Sequence, residues 1–293
     1  MTSGLGYKLF AAFNYLVLGL CALATLLPFL YVVIVSFTDA TEYLTTPVVL
    51  IPKQWSLDSY KYIFSTGTFM RSMGISAFLA VVGTLCSLIV TSALAYALSR
   101  KRLKGRTFFQ VAILLTMLFN AGMIPNFLLV DGLGLMNSIW SLILPALTSA
   151  WYVLLMKNFY GEIPDELEEA ARIDGCSDIG VFVKIILPVS TSALAAFGLF
   201  YAVGYWNTYF SAVLFINDDA LRPMQVVLQL MLITASTQVA DPAVAAMLES
   251  ERSIPPQVIK MAAVVVSSLP IVMVYPFVQK YFVKGMMVGS VKG

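Results

Sequence analysis

The sequence predicts an all-α, polytopic membrane protein with six transmembrane helices, and three observations carry that prediction. Hydrophobic residues make up 59% of the 293 residues and charged residues 12%, about half the charged fraction of a soluble domain. Six stretches without Asp, Glu, Lys or Arg, about 10–37, 72–99, 107–130, 138–156, 185–216 and 261–279, reach the roughly 20 residues that a helix needs to cross the hydrocarbon core. Basic residues gather in short loops between these stretches, as the positive-inside rule expects. Together they predict one polytopic domain over 1–293.

The first span follows Lys8 and runs apolar to Phe37. That is longer than the 7–15 apolar residues of a signal sequence, and no small-x-small site precedes the next charges, so it reads as a retained anchor. The second carries Gly83, Ser87, Ser92 and Ala93, small residues that let helices approach closely in lipid. Pro28, Pro125, Pro145, Pro188 and Pro270 lie in or at the edges of five spans. They mark kinks whose freed carbonyls neighbouring helices satisfy.

Orientation follows from the loop that holds Arg100, Lys101, Arg102, Lys104 and Arg106, which is short enough to report the cytoplasmic side. Alternating from there puts both termini, the 157–184 loop and twelve of the 18 Lys and Arg residues inside. The segments 38–71, 131–137 and 217–260 fall outside. Two readings stand for 38–71, with Trp55 and Tyr60: short helices at headgroup level, or contact with an external partner. The acidic, Pro-containing 217–260 segment reads as a docking loop.

Composition also excludes. The chain has no histidine, so a Ser/His or Cys/His nucleophile lacks its usual base and metal catalysis lacks its commonest ligand. Cys21 and Cys86 fall within spans and Cys176 in an inside loop, where thiols stay reduced. A net charge of +2 without a basic stripe argues against a nucleic-acid partner. The absence of an ionisable residue from all six spans argues against an ion-coupled transporter, which needs one to bind its coupling ion. No G-x-x-x-x-G-K-[ST] phosphate loop occurs, so any ATPase is a separate polypeptide.

The one long polar insert on the inside is 161–184. Pro164 suits a first helical turn, Asp165, Glu166 and Glu168 favour the positive end of a helix dipole, and Gly175 supplies a left-handed stop. Ser177 then caps a second short helix through Lys184. Leu167, Ala170, Ala171 and Ile173 form a small apolar face on the first helix, with Glu168, Glu169 and Arg172 on the charged one. A knob of this kind fits a partner's groove. The alternative, an amphipathic helix lying on the membrane, conflicts with its acidity, because the inner leaflet is itself negative.

Glu169-Ala170-Ala171-x-x-Asp174-Gly175, followed by Phe182, Ile185 and Leu187-Pro188, resembles the EAA loop of binding-protein-dependent ABC importer permeases of the carbohydrate type. The resemblance covers the whole chain and implies the type I ABC importer permease fold. It departs from the family pattern at Cys176, where Ala is usual, and at Ser192, where a second Pro is common. It implies that Glu169, Ala170, Ala171, Asp174, Gly175, Phe182, Leu187 and Pro188 couple this chain to an ATPase dimer. The ATPase would hold the ATP and Mg, this chain binding no cofactor and catalysing nothing. It further implies a second homologous permease, an extracytoplasmic solute-binding protein, and residence in the bacterial cytoplasmic membrane. The tail Lys284–Gly293 is similar to that of MalG-type permeases, which implies an ATPase contact through Gly289, Ser290, Val291, Lys292 and Gly293, the alternative being a disordered end. Tyr275-Pro-Phe-Val-Gln-Lys-Tyr-Phe-Val-Lys-Gly resembles the subgroup for oligosaccharides and uronate-containing fragments such as alginate or aldouronate. A non-sugar solute is the alternative substrate class.

For the solute path, sugars call for aromatic faces beside amides and hydroxyls. Tyr205, Trp206 and Asn207 in the fifth span, with Asn120 and Asn126 in the third, are the candidates. The same aromatics also suit an interfacial belt, with Asn207 bonded to a neighbouring helix.

Overall fold

The computed structural model describes residues 5–236 and 254–289. Every regular element among them is a helix: α1 (Leu5–Ser36), α2 (Ala40–Thr45), α3 (Asp58–Ser65), α4 (Gly67–Ser99), α5 (Arg106–Leu118), α6 (Met123–Gly132), α7 (Trp140–Ala146), α8 (Ala150–Gly161), α9 (Asp165–Ile173), α10 (Asp178–Val189), α11 (Thr191–Trp206), α12 (Phe210–Phe215), a 3-10 turn (Asp219–Leu221), α13 (Met224–Ser236) and α14 (Pro256–Gly289). α1, α4 and the 256–274 part of α14 are each long and apolar enough to cross a membrane. The pairs α5–α6, α7–α8 and α10–α11 meet the same test jointly, making six spans if each pair is one. All-helical construction is what a bilayer demands, since a helix satisfies its own backbone where water cannot.

The breaks are sharper than the kinks expected from Pro125, Pro145 and Pro188 in the spans 107–130, 138–156 and 185–216. α5 and α6 bend by 115° because the chain leaves the helix at an extended Phe119 and re-enters through Gly122 at φ 85°, a region that a Cβ disfavours. The Asn120 carboxamide oxygen accepts the Gly122 N–H at 2.9 Å, and Asn126 Nδ2 donates to the Gly122 carbonyl at 2.8 Å. α10 and α11 bend by 82° at Ser190. Here α10 contains a wide π turn over Phe182–Ile186, in which the Leu187 N–H donates to the Phe182 carbonyl. Pro188 follows, and its ring would crowd the preceding turn of a regular helix. The insert's second helix therefore does not stop at Lys184.

The chain divides into two compact units, 1–70 with 228–269, and 71–227 with 270–293. In the first, α1 exposes apolar side chains around its circumference, Leu16, Leu23 and Phe29 among them, as a helix bathed in lipid does. Beyond it Thr38 bridges to Trp55, and the Ser36 and Tyr60 hydroxyls share a 2.7 Å hydrogen bond. The Glu42 carboxylate accepts the backbone N–H groups of Lys53 and Gln54 at 2.9–3.0 Å, closing the intervening loop.

In the second unit α4, α8 and α11 surround two apolar clusters. One gathers Leu79, Ile143, Tyr201, Tyr205 and Phe215; the other Ala95, Tyr96, Met156, Tyr160, Ile186 and Phe197. Two buried hydroxyl pairs fasten α4 to α11, Ser87 with Tyr205 at 2.9 Å and Thr91 with Tyr201 at 2.6 Å. Such pairs supply the attraction that hydrophobic burial does not supply between helices in lipid.

Candidate functional site

The polar insert folds as a helix held by two turns. Pro164, extended at ψ 132°, precedes the first helical residue instead of occupying the first turn. Asp165, Glu166 and Glu168 then stand at the positive end of α9. At the other end the Cys176 N–H donates to the Ala171 carbonyl and the Gly175 N–H to the Arg172 carbonyl, both at 2.9 Å. That is a Schellman closure, with Gly175 at φ 83° as its left-handed residue. The Ser177 hydroxyl accepts the Gly180 N–H at 3.2 Å and starts α10.

The faces of α9 differ from the expected ones. Glu168 and Ala171 point inward and are buried, whereas Leu167, Glu169, Ala170 and Ile173 are exposed, Ile173 at 86%. Glu168 turns in because Arg100, itself buried at the end of α4, meets its carboxylate at 2.9 Å. The exposed face thus mixes apolar Leu167, Ala170 and Ile173 with acidic Glu166 and Glu169. Asp174 and Gly175 are exposed at its rim. Phe182 stacks on Tyr96 with centroids 4.9 Å apart, Ile185 and Leu187 are half-buried, and Pro188 is exposed. Gly289 is the last described residue of α14; Ser290, Val291, Lys292 and Gly293 lie outside the described residues, as do 237–253 of the expected docking loop.

The residues expected on a solute path do not converge. Asn120 and Asn126 hold the α5–α6 break through the bonds above. Asn207 Nδ2 donates to the Val203 carbonyl at 2.9 Å and its Oδ1 accepts from Gln225 Nε2 at 3.3 Å, while Trp206 is buried. Only Tyr205 of the five lines the cavity, of about 480 Å³, that opens between α8 and α11. Its walls are Trp151, Tyr152, Phe200 and Tyr201, with Tyr152 and Phe200 parallel within 11° at 6.0 Å. Thr148, Ser149, Thr208 and Ser211 supply hydroxyls. The Trp151 indole N–H and the Ser149 and Ser211 hydroxyls have no hydrogen-bond partner among the described residues.

Two interruptions of helix meet this cavity: 147–149, between α7 and α8, and 207–209, between α11 and α12. Irregular backbone at membrane depth is tolerated where protein buries it or where it lines a wet cavity, and broken helices commonly frame transported solutes. The sequence signal for it is Thr148-Ser149-Ala150-Trp151-Tyr152, hydroxyls and aromatics together inside an apolar span.

A family model described as the binding-protein-dependent transport system inner membrane component matches residues 87–288. The chain is 46% identical over 98% of its length, and 99% of the relative's, to the polygalacturonan/rhamnogalacturonan transport system permease protein YtcP of Bacillus subtilis (strain 168). To the trehalose/maltose transport system permease protein MalG of Thermococcus litoralis it is 29% identical, with 94% of each chain covered. Among solved structures it matches a bacterial ABC transporter involved in the import of the acidic polysaccharide alginate, at TM-score 0.88 and 32% identity over 96% of this chain and 99% of the other.

Proposed function

The chain belongs to the family of binding-protein-dependent transport system inner membrane components, and from that premise we propose that it passes acidic oligosaccharides, fragments of uronate-containing polysaccharides, into the cell. It is a multi-pass inner-membrane permease subunit of an ATP-driven importer and not a catalytic subunit; ATP is bound by a partner, and a solute-binding protein serves the system. The observation that carries the substrate class is the 46% identity, end to end, with a polygalacturonan/rhamnogalacturonan permease; the likeness to an alginate importer supports it.

In this reading both termini are cytoplasmic and the chain pairs with a second, homologous permease. The exposed face of α9, with Glu169, Ala170, Asp174 and Gly175, docks on the ATPase, and Ala171, Phe182, Leu187 and Pro188 support it from behind. The tail Gly289–Gly293 adds a second ATPase contact. The sugar passes the aromatic cavity beside Tyr205, whose stacked rings and unpartnered donors suit pyranose faces and hydroxyls. Asn120, Asn126, Trp206 and Asn207 frame the route by holding helix breaks and neighbours. No acidic or basic side chain lines the cavity, so the uronate carboxylates meet their counter-charges on the binding protein or the paired permease.

The test is ATP hydrolysis by the assembled complex in nanodiscs, with the cognate binding protein loaded in turn with oligogalacturonate, alginate fragments and neutral maltodextrins. Stimulation by the uronate oligosaccharides is expected. Stimulation by the neutral sugars alone, or by none of the three, overturns the substrate assignment.

A further inference from the structure

A helix that docks on an ATPase transmits nothing unless it is tied to the spans more stiffly than its own linkers tie it. α9 hangs between Gly161 and Gly175, the latter in a glycine-favoured conformation, and buries only Glu168 and Ala171. One short apolar contact is a poor lever. The polar contacts behind it are different. Arg100, 7% exposed, meets Glu168 at 2.9 Å and Asp165 at 3.5 Å through one guanidinium nitrogen. It donates from the other to the Tyr160 carbonyl, at the end of α8, at 3.0 Å. Its guanidinium also lies 5.0 Å over the Tyr96 ring of α4, the ring on which Phe182 of α10 stacks.

We infer that Arg100 and Glu168 are positioning residues that make α9 move as one body with the inner ends of α4 and α8, so that a displacement of α9 reaches the spans. This rests on the reading that α9 docks on the ATPase. Arg100 suits the task because its planar fork holds one nitrogen in ion-pair contact with a carboxylate oxygen while the other donates to a carbonyl, a spread that a compact ammonium lacks. The other carboxylate oxygen of Glu168 faces Arg102 at 3.6 Å and Arg172 at 3.5 Å, and Asp178 pairs with the same two at 2.8 and 3.3 Å. Glu168 thus lies among three guanidiniums, and through Asp178 the start of α10 joins the same clamp. Buried ion pairs contribute little net stability, since desolvation offsets their attraction; fixing one arrangement is the use that this pair serves.

The test uses the full complex in proteoliposomes, with Arg100→Lys and Glu168→Gln, and with Arg100→Gln combined with Glu168→Gln, which leaves no buried charge unpaired should a single variant fail to assemble. The readouts are sugar moved per ATP hydrolysed and a cross-link from a cysteine at Ile173 to the ATPase, with the three native cysteines replaced. Expected is an intact cross-link with transport per ATP reduced about tenfold, within the usual range of coupling between sites. An intact cross-link with an unchanged ratio overturns the clamp. Absence of the cross-link in the otherwise unsubstituted chain overturns the docking reading beneath it. A fall in transport and hydrolysis in proportion, tracking lost assembly, overturns the clamp in favour of a purely structural role.

Discussion

The ring of Tyr205 lies against the backbone of Gly83 so closely that a methyl group on that glycine would sit 2.7 Å from the ring carbons. The contact falls in the π turn Leu79–Gly83 of α4, and the phenol cannot swing aside freely, because its hydroxyl bonds to Ser87 at 2.9 Å and reaches the Ile143 carbonyl at 3.4 Å. Gly83→Ala gains about 1 kcal/mol of helix propensity and incurs about 1–3 kcal/mol of overpacking. The net expectation is a lower Tm for the detergent-purified complex and weaker transport. An unchanged Tm in the single variant would mean that the ring yields, and that α4 and α11 can part enough to admit a methyl group.

Trp151 tests the cavity. Its ring is half exposed and its indole N–H has no partner among the described residues, so it is available to a solute. Trp151→Ala should raise the KM for sugar uptake roughly fivefold, from about 1 kcal/mol of lost stacking, with assembly unaffected, while Trp151→Phe keeps most of the affinity. Unaltered uptake kinetics in the alanine variant would move the sugar's route to the paired permease.

How much of this was legible in the sequence depends on the range of the interactions. The spans followed from apolar length, and the Gly175 stop and Ser177 cap from chemistry confined to four or five residues. The inward turn of Glu168 was not legible: adjacent Glu168 and Glu169 look alike locally, and the choice between them is made by Arg100, which lies far along the chain on another helix. The breaks after Phe119 and at Ser190 were legible only as kinks marked by Pro125 and Pro188, and their sharpness was not. An apolar window registers hydropathy and not backbone geometry, so Gly122 and Pro188 count there as single residues. The cavity shared that fate, since Ser149 and Trp151 become neighbours of Phe200 and Ser211 only when α8 and α11 pack.

Gly175 separates the geometry of the insert from its surface chemistry. A Cβ there meets no atom of this chain within 4 Å, so within the insert substitution acts only through the φ of 83°, and a steric clash at the docked surface would instead favour alanine over the larger asparagine. Alanine at a left-handed position costs about 1–2 kcal/mol, and asparagine less because its side chain bonds locally. If α9 must be held at a fixed angle to meet the ATPase, stimulation of ATP hydrolysis by loaded binding protein should fall in the order Gly175, Gly175→Asn, Gly175→Ala. Equal stimulation in all three would show that the exposed residues Glu169 and Ile173 dock without the turn, and that the Schellman closure serves folding alone.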